Sequence, residues 1–595
     1  MLNTRNEAGK GAFTPSKFKP TLRLARFVRA TLAPLVLGLP PLFWVALAYA
    51  RASRTALGRD QGIFQYIAWA IEKGAVDYRD VRDVNGPLVH WIHVAFLALG
   101  GADDHRLRVV DLAVTGATFA FVGACLPGLW SRGSPSLLER AAWAVAGCVV
   151  LSGQYLLYGF WDLAQRESFF DWFMLPSVAL QLVAQAPRKG ANAPRREAQL
   201  LVVVGALSVA PWFGKPTYAL FTIGQLGALI ADREQPLSRW RSVLAVGLGG
   251  LLAAVVELCI LARHGDLIAY LRIQIADVPA MYRFIWPRSA ADLMSLPRIA
   301  TPATLGLVGA ATFSALALMR EMPARILAIA IVPVCALGSI VVQAKGFPYH
   351  LHPLTAGVHL QGLAFAAWIT ERSRVASRKR AFLRLVPIVV SASFAFSVAM
   401  AMQQSPHLHA DFLLWRWSEE QRQSRAYLEH FTEPDFFPYE MRETAQYLRE
   451  HTGADDRVQT YGMDPYLLFL AERLSATPYI YAYDLNVDAA LAGGSGGRPS
   501  ATQAAAIAAI QAAHEADLRA RLEARPPAAF VFFDEAPTLS QTDAWDDFDR
   551  HCAKAAAWVR SRYRETARFG HDHVWLRRDL AEALPRYDSD GRPPT

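Results

Sequence analysis

GRDQGIFQYIAWAIEKGAVDYRDVRDVNGPLVHWIHVAFLALGGADDHRLRVVDLA, residues 58–113, lies between two long apolar runs, and the rest of the chain is read outward from it. It opens with an acid, Asp60. Ile63, Ile67, Ala70 and Ile71 then recur at helical spacing, with Gln61, Gln65 and Glu72 off that stripe. The pattern predicts an amphipathic helix lying in a membrane interface, ended at Lys73-Gly74. Pro87 to Leu99 is a second apolar stretch, and its leading proline suits a first helical turn. It falls short of the roughly 20 residues a helix needs to cross the hydrocarbon, so it reads as a second interfacial helix.

The flanks explain why an interface is expected. Of 595 residues, 53% are hydrophobic and 19% charged, against roughly 25% charged in soluble domains. Mean hydropathy is only +0.17, so the apolar residues are gathered into segments. Candidate spans fall at 28–50, 107–130, 139–157, 168–186, 198–213, 217–231, 242–263, 301–320, 325–343, 353–370 and 385–402, about eleven in all. Lysine and arginine cluster at alternate ends of these spans. One side has Arg23, Arg26 and Arg29, then Arg188, Lys189, Arg195 and Arg196, then Arg233, Arg239 and Arg241, then the run Arg372 to Arg384. The positive-inside rule makes that side cytoplasmic. The expected organisation is a cytoplasmic segment 1–27, a membrane domain 28–402 and an extracytoplasmic domain 403–595. The expected location is the inner membrane of a bacterium, with the C-terminal domain periplasmic.

The same placement accounts for the net charge of +9 without nucleic acid as a partner. Cys125, Cys148, Cys259 and Cys335 sit in apolar spans and Cys552 stands apart. With no CxxC spacing, neither a disulfide framework nor a cysteine zinc site is expected.

Several patterns in residues 58–113 resemble the GT-C superfamily of membrane glycosyltransferases. They are the acid-x-G-x-x-x-x-x-A run from Asp60 to Ala68, Gly74 followed by Tyr78-Arg79-Asp80, Asn85-Gly86-Pro87-Leu88-x-x-Trp91, and an arginine before the second span. The likeness is greatest to the branch with protein O-mannosyltransferases and lipid A aminoarabinose transferases. It covers the membrane half, and the C-terminal part in outline. It implies that Asp60 is the catalytic carboxylate. Relatives often carry two adjacent acids there, whereas this chain has Arg59-Asp60-Gln61, which weakens the argument for a divalent metal at this point, and no cofactor is assigned. The resemblance also implies a second functional acid in YGFWDLAQRESFFDWFMLP, residues 158–176, where Glu167 is the first choice and Asp162 the second.

Transfer of a sugar from a lipid carrier needs a base for the acceptor hydroxyl and cations for the departing polyprenyl phosphate. Ionisable residues beside the membrane are candidates for the second task. These are Arg166, Lys215 in WFGKPTY, Lys345 and His350 in QAKGFPYHLHP, and Arg288 in the long loop 264–300. His350 and His352 alone do not make a metal site, since no third ligand is evident.

Beyond residue 403 helix and strand patterns alternate, predicting a small open α/β sheet. The expected elements are a helix Tyr439–Glu450, strands at RVQTYG (457–462), TPYIYAY (477–483) and PPAAFVFFDE (526–535), an Ala-rich helix near 501–525, and a late hairpin at Tyr563–Phe569 and His573–Arg577. GGSGG (493–497) is neither a Walker loop nor a strand-linked GxGxxG, and reads as a flexible connection.

The expectation is therefore a polytopic α-helical membrane protein of the GT-C kind. It would transfer a sugar, with inversion, from a polyprenyl-phosphate carrier to an extracytoplasmic lipid, polysaccharide or protein. The alternatives are a multi-span transporter or lipid-linked-glycan flippase, which calls for charges deep in spans and internal symmetry, and a non-catalytic scaffold. Glu257 is the clearest deep charge, and no repeat is visible.

Overall fold

In a computed structural model of the chain, the described residues are 39–101, 104–127, 135–186, 192–233, 237–376, 386–387, 389–392, 394, 418 and 421–582. The segment 1–27, most of the predicted span 385–402, most of the basic run 372–384 and the 402/403 boundary lie outside them.

Helices stand at the ten predicted span positions that fall within the described residues. They cover residues 39–52, Asp104–Cys125, Leu137–Leu156, Arg166–Gln185, Ala193–Val209, Ala219–Ala231, Arg239–His264, Pro297–Leu318, Leu327–Gln343 and His352–Ala376. Among the described residues, four helices are long and apolar enough to cross a membrane: His105–Cys125, Arg239–His264, Pro297–Leu318 and Ala324–Gln343. Arg239–His264 exposes Leu244, Leu248, Leu251, Leu252, Val255 and Val256. A contiguous apolar face of that kind suits lipid rather than water.

The C-terminal part is built on a five-stranded sheet of order β2-β1-β3-β5-β4. The strands are β1 (Arg457–Tyr461), β2 (Leu474–Ser475), β3 (Ala529–Phe533), β4 (Tyr563–Phe569) and β5 (Asp572–Arg577). β1 runs parallel to β2 and β3, while β5 is antiparallel to β3 and β4. Every residue of β3 is buried, as its unbroken apolar run requires when both faces are covered. Val531 and Phe533 belong to the main core together with Met441, Ala445 and Leu448 of the helix Pro438–His451, and Phe530 and Phe532 to a second core with Leu518, Leu522 and Val559.

Both short helices of residues 58–113 form, as Arg59–Glu72 and Pro87–Gly100. The first differs from an interfacial helix with one wet face. Gln61 and Gln65 are buried, because Gln61 Nε2 donates to the carbonyls of Trp161 (3.0 Å) and Leu163 (2.6 Å) and Gln65 Oε1 meets His93 Nδ1 at 3.2 Å. The sheet domain covers the remaining side. A Cβ on Gly62 would lie 2.5 Å from Tyr466 Cγ, and the Tyr66 hydroxyl accepts the Ser475 N–H at 2.8 Å.

Two further expectations are corrected. TPYIYAY is not a strand. Its backbone is committed elsewhere: the Pro478 carbonyl accepts the Arg82 N–H (2.9 Å) and the Tyr479 carbonyl accepts Gln459 Nε2 (2.9 Å). The glycine loop is a tight clasp rather than a flexible connection. Gly496 N–H donates to the Pro287 carbonyl at 2.8 Å, and a Cβ on Gly494 would lie 2.3 Å from that same oxygen.

In the same domain His573 lies between two acids, with Nε2 2.8 Å from Asp534 and Nδ1 3.0 Å from Glu565. Asp534, Asp543 and His573 bring ligand-type atoms within 4.8 Å of one another. Both imidazole nitrogens are nevertheless engaged by carboxylates, and Arg568 pairs with Asp534 at 3.2 Å, so the arrangement is an ion-pair network.

Gly62→Val should lower the thermal unfolding midpoint by several degrees, because overpacking of this kind costs about 1–3 kcal/mol. Unchanged stability would mean that Tyr466 does not hold the helix. Burial pulls the His573 imidazole down, yet the Asp534 and Glu565 hydrogen bonds outweigh it and raise its pKa to about 9. The folded value exceeds the unfolded one, so this contribution is full below about pH 6.5 and fades as pH rises through about 9. His573→Gln should remove that alkaline loss from a series of melts.

Candidate active site

The candidate site forms where several turns between helices meet. Arg166 and Glu167 open the helix Arg166–Gln185, whose first turn is closed by Ser168 Oγ, which accepts the Gln165 N–H at 3.1 Å and donates to the Gln165 carbonyl at 2.7 Å. The acid there complements the helix dipole. The turn before it is fastened by Arg108, fully buried near the start of the helix Asp104–Cys125. Its guanidinium donates to the carbonyls of Ala56 (2.9 Å), Phe160 (2.7 Å) and Leu163 (3.1 Å), which ties the first loop to residues 160–163. Lys215 sits between the turns Ala210–Phe213 and Pro216–Tyr218, and His350 lies in the turn Pro348–Leu351.

Arg166 is the hub. Its guanidinium donates to Asn85 Oδ1 and to the Tyr349 hydroxyl (2.8 Å), and it lies 5.1 Å from the Tyr349 ring centroid. It stands 4.0 Å from Asp60 and 3.9 Å from Glu167 Oε2. Glu167 Oε1 accepts Lys215 Nζ, which also lies 3.2 Å from His350 Nε2. Three buried atoms here have no hydrogen-bond partner: Arg166 Nε, Glu167 Oε2 and His350 Nδ1. Arg166 Nε and Glu167 Oε2 face each other at 3.9 Å, and the three atoms together leave hydrogen-bonding capacity for a polar ligand.

The acids and bases are perturbed by this burial. Asp60 keeps 27% of its side chain exposed. Burial raises its carboxyl above the usual range, with Arg166 and Arg59 opposing. Asp162 is pushed up to about 7 by burial and by the charge of Asp60. Burial brings the Lys215 ammonium down to about 8 against the pull of Glu167, and drives His350 well below its ordinary value, leaving a neutral imidazole.

Asp60, Arg166, Glu167, Lys215 and His350 are thus brought together, with Asp162 close by. Lys345 is engaged differently. Its ammonium is bonded to the carbonyls of Tyr282 (3.0 Å), Arg283 (3.4 Å) and Ile285, so its three donors close a turn. Arg288 is exposed and makes no hydrogen bond or ion pair with the cluster among the described residues. His352 donates to the Asp162 carbonyl at 2.8 Å, a structural task. Sequence reasoning did not single out Asn85, Tyr349, Asp83 or Tyr481. Asn85 alone carried a signal, as the first residue of the N-G-P-L run.

No protein-family model matches the chain, and no curated protein matches it. The crystal structure of ArnT from Cupriavidus metallidurans in the apo state is similar over 93% of this chain and 98% of that one, with a TM-score of 0.51 and 13% identity. Archaeoglobus fulgidus oligosaccharyltransferase AglB, in complex with an inhibitory peptide and a dolichol-phosphate, has a TM-score of 0.41 and 11% identity over 82% of this chain and 69% of that one. The arabinofuranosyltransferase AftD from Mycobacteria has a TM-score of 0.41 and 16% identity, and the chain spans 39% of its length. The ArnT match shows the fold.

Lys215→Met should leave Glu167 buried without its hydrogen-bonded cation and destabilise the protein by about 3–5 kcal/mol. Adding Glu167→Gln to it should recover most of that loss in thermal melts. Equal instability of single and double variants would mean that the pair is not a unit.

Proposed function

From the GT-C fold as premise, we propose that this chain is a glycosyltransferase that moves a sugar from a polyprenyl-phosphate carrier to an extracytoplasmic lipid, polysaccharide or protein acceptor. The observation that carries this reading is the cluster of Arg166 and Lys215, with unpaired buried polar atoms, beside the half-buried carboxylate of Asp60. A phosphate needs fixed cations, and an acceptor hydroxyl needs a base that water can reach.

In this mechanism Asp60 takes the proton of the acceptor hydroxyl as its oxygen attacks the anomeric carbon. The bond from that carbon to the phosphate oxygen breaks on the opposite face, which inverts the configuration. Charge that develops on the departing phosphate falls to Arg166, which can offer a fork of donors, and to Lys215, a point charge. Glu167 holds Lys215 in place. The neutral imidazole of His350 can hydrogen-bond the phosphate through Nδ1. Asp162, which titrates near neutrality, can carry a proton away from Asp60. No step calls for a metal.

Asp60 adjoins Arg59, which pairs with Asp435 and Asp464 of the C-terminal part. This fits the sidedness read from the basic clusters, with the site and residues 421–582 outside the cytoplasm. A lipid-linked donor fits that side better than a nucleotide sugar.

Asp60→Asn should lower transfer about 10²–10⁴-fold while the melting temperature holds, as loss of a general base does. The assay is purified protein with a labelled polyprenyl-phosphate sugar and membrane extract as acceptor source. Intact transfer by the folded variant would remove Asp60 as the base.

A further inference from the structure

Residues Arg82–Asn85 join the two halves of the protein to the site. The Arg82 N–H donates to the Pro478 carbonyl at 2.9 Å, and its guanidinium bridges Asp484 (2.8 Å) and Asp277 (2.9 Å). Asp83 Oδ1 accepts the Tyr481 hydroxyl at 3.3 Å, and its Oδ2 faces His90 Nε2 at 2.9 Å. The Val84 carbonyl accepts Gln274 Nε2 at 2.9 Å. The sheet domain and the loop 264–300 therefore grip this run at each of its first three residues.

Asn85 ends the run, and its amide has one admissible orientation. The NH2 group donates to both oxygens of Asp83, at 2.8 and 3.1 Å, which turns Oδ1 toward Arg166. A flipped amide would set its oxygen against the Asp83 carboxylate and its NH2 against the guanidinium, so the network fixes the assignment. The Asn85 carbonyl also accepts the Tyr78 hydroxyl at 2.7 Å, which anchors the backbone beneath it.

The consequence concerns Arg166. Asp60 and Glu167 lie 4.0 and 3.9 Å away, near enough to capture the guanidinium in close ion pairs if nothing else held it. Such capture would use the donors that an incoming phosphate needs. Asn85 and Tyr349 hold Arg166 just short of close pairing with both acids and leave Nε without a hydrogen bond, 3.9 Å from Glu167 Oε2.

We propose that Asn85 is a positioning residue for the Arg166 guanidinium, and that the sheet domain sets Asn85 through Pro478, Tyr481 and Asp484, so that carrier-phosphate binding depends on the docking of that domain. The inference rests on the reading that Arg166 receives the carrier phosphate. The sheet domain then acts on the reaction without touching the phosphate.

The test uses the full-length protein in nanodiscs, a polyprenyl monophosphate as the probe and the matching polyprenyl alcohol as its uncharged counterpart. Asn85→Ala should weaken monophosphate binding about tenfold, the scale of one hydrogen bond to a charged group. Tyr481→Phe should weaken it about threefold, being one step further away. Neither should change binding of the alcohol. Tyr479→Phe, whose hydroxyl bonds Asp517 at 3.0 Å in the same segment, should bind as the parent does. In an Arg166→Ala background neither substitution should weaken binding further, since the path ends at that guanidinium. Parental binding by folded Asn85→Ala and Tyr481→Phe, or losses that persist without Arg166, would overturn the inference and leave the transferase reading standing. A parent protein that does not distinguish monophosphate from alcohol would overturn both.

Discussion

Two arginines withdrawn from water, Arg59 and Arg82, hold the loop that carries Asp60 against the sheet domain, and the rest of the site takes its position from them. Arg59 pairs with Asp464 at 2.8 Å and Asp435 at 3.2 Å, and Arg82 pairs with Asp277 and Asp484. Burial opposes the charge on each, and the paired aspartates more than restore it. Pairs of this kind add little net stability compared with an apolar contact, but removing one partner is severe. They therefore act as register pins. Arg59 neighbours Asp60 in the chain, and Arg82 lies three residues before Asn85. Fixing these two points fixes both ends of the path that meets at Arg166.

The site repeats the same logic on a smaller scale. Each charged group has a partner that limits its movement without cancelling it: Lys215 on Glu167, Arg166 on Asn85 and Tyr349. Asp60 is the exception. Its nearest cation is 4.0 Å away and part of its side chain is exposed, so it remains basic and reachable. In a water-poor pocket such prearranged charges act more strongly than in solution, and they need not reorganise as the reaction proceeds.

What the sequence disclosed depended on how local the cause was. Helix positions follow from apolar periodicity, so helices stand where the described spans were expected, and β3 was visible as an unbroken buried run. Asp60 and Glu167 stood out through the resemblance of their loops to GT-C glycosyltransferases, and the cationic candidates because charge beside a membrane is costly. That same signal could not separate Lys215 from Lys345. Both are lysines in turns between helices, but one faces a carboxylate and the other closes a ring of carbonyls. The polar side of Arg59–Glu72 looked wet because Trp161, Leu163 and Tyr466, which cover it, are remote in sequence. Tyr481 was hidden for a related reason: TPYIYAY has the composition of a strand, and only its docking on Asp83 shows otherwise.

The central claim is that Arg166 and Lys215 receive a lipid-linked phosphate beside Asp60. It is tested most directly by determining the structure of the full-length protein with a polyprenyl-phosphate sugar bound. The account predicts the phosphate between Arg166 and Lys215, with the anomeric carbon turned toward Asp60 and the lipid tail leaving toward the helical domain. A phosphate bound elsewhere, with these residues unchanged and the Arg166–Asn85 contact untouched, would contradict it.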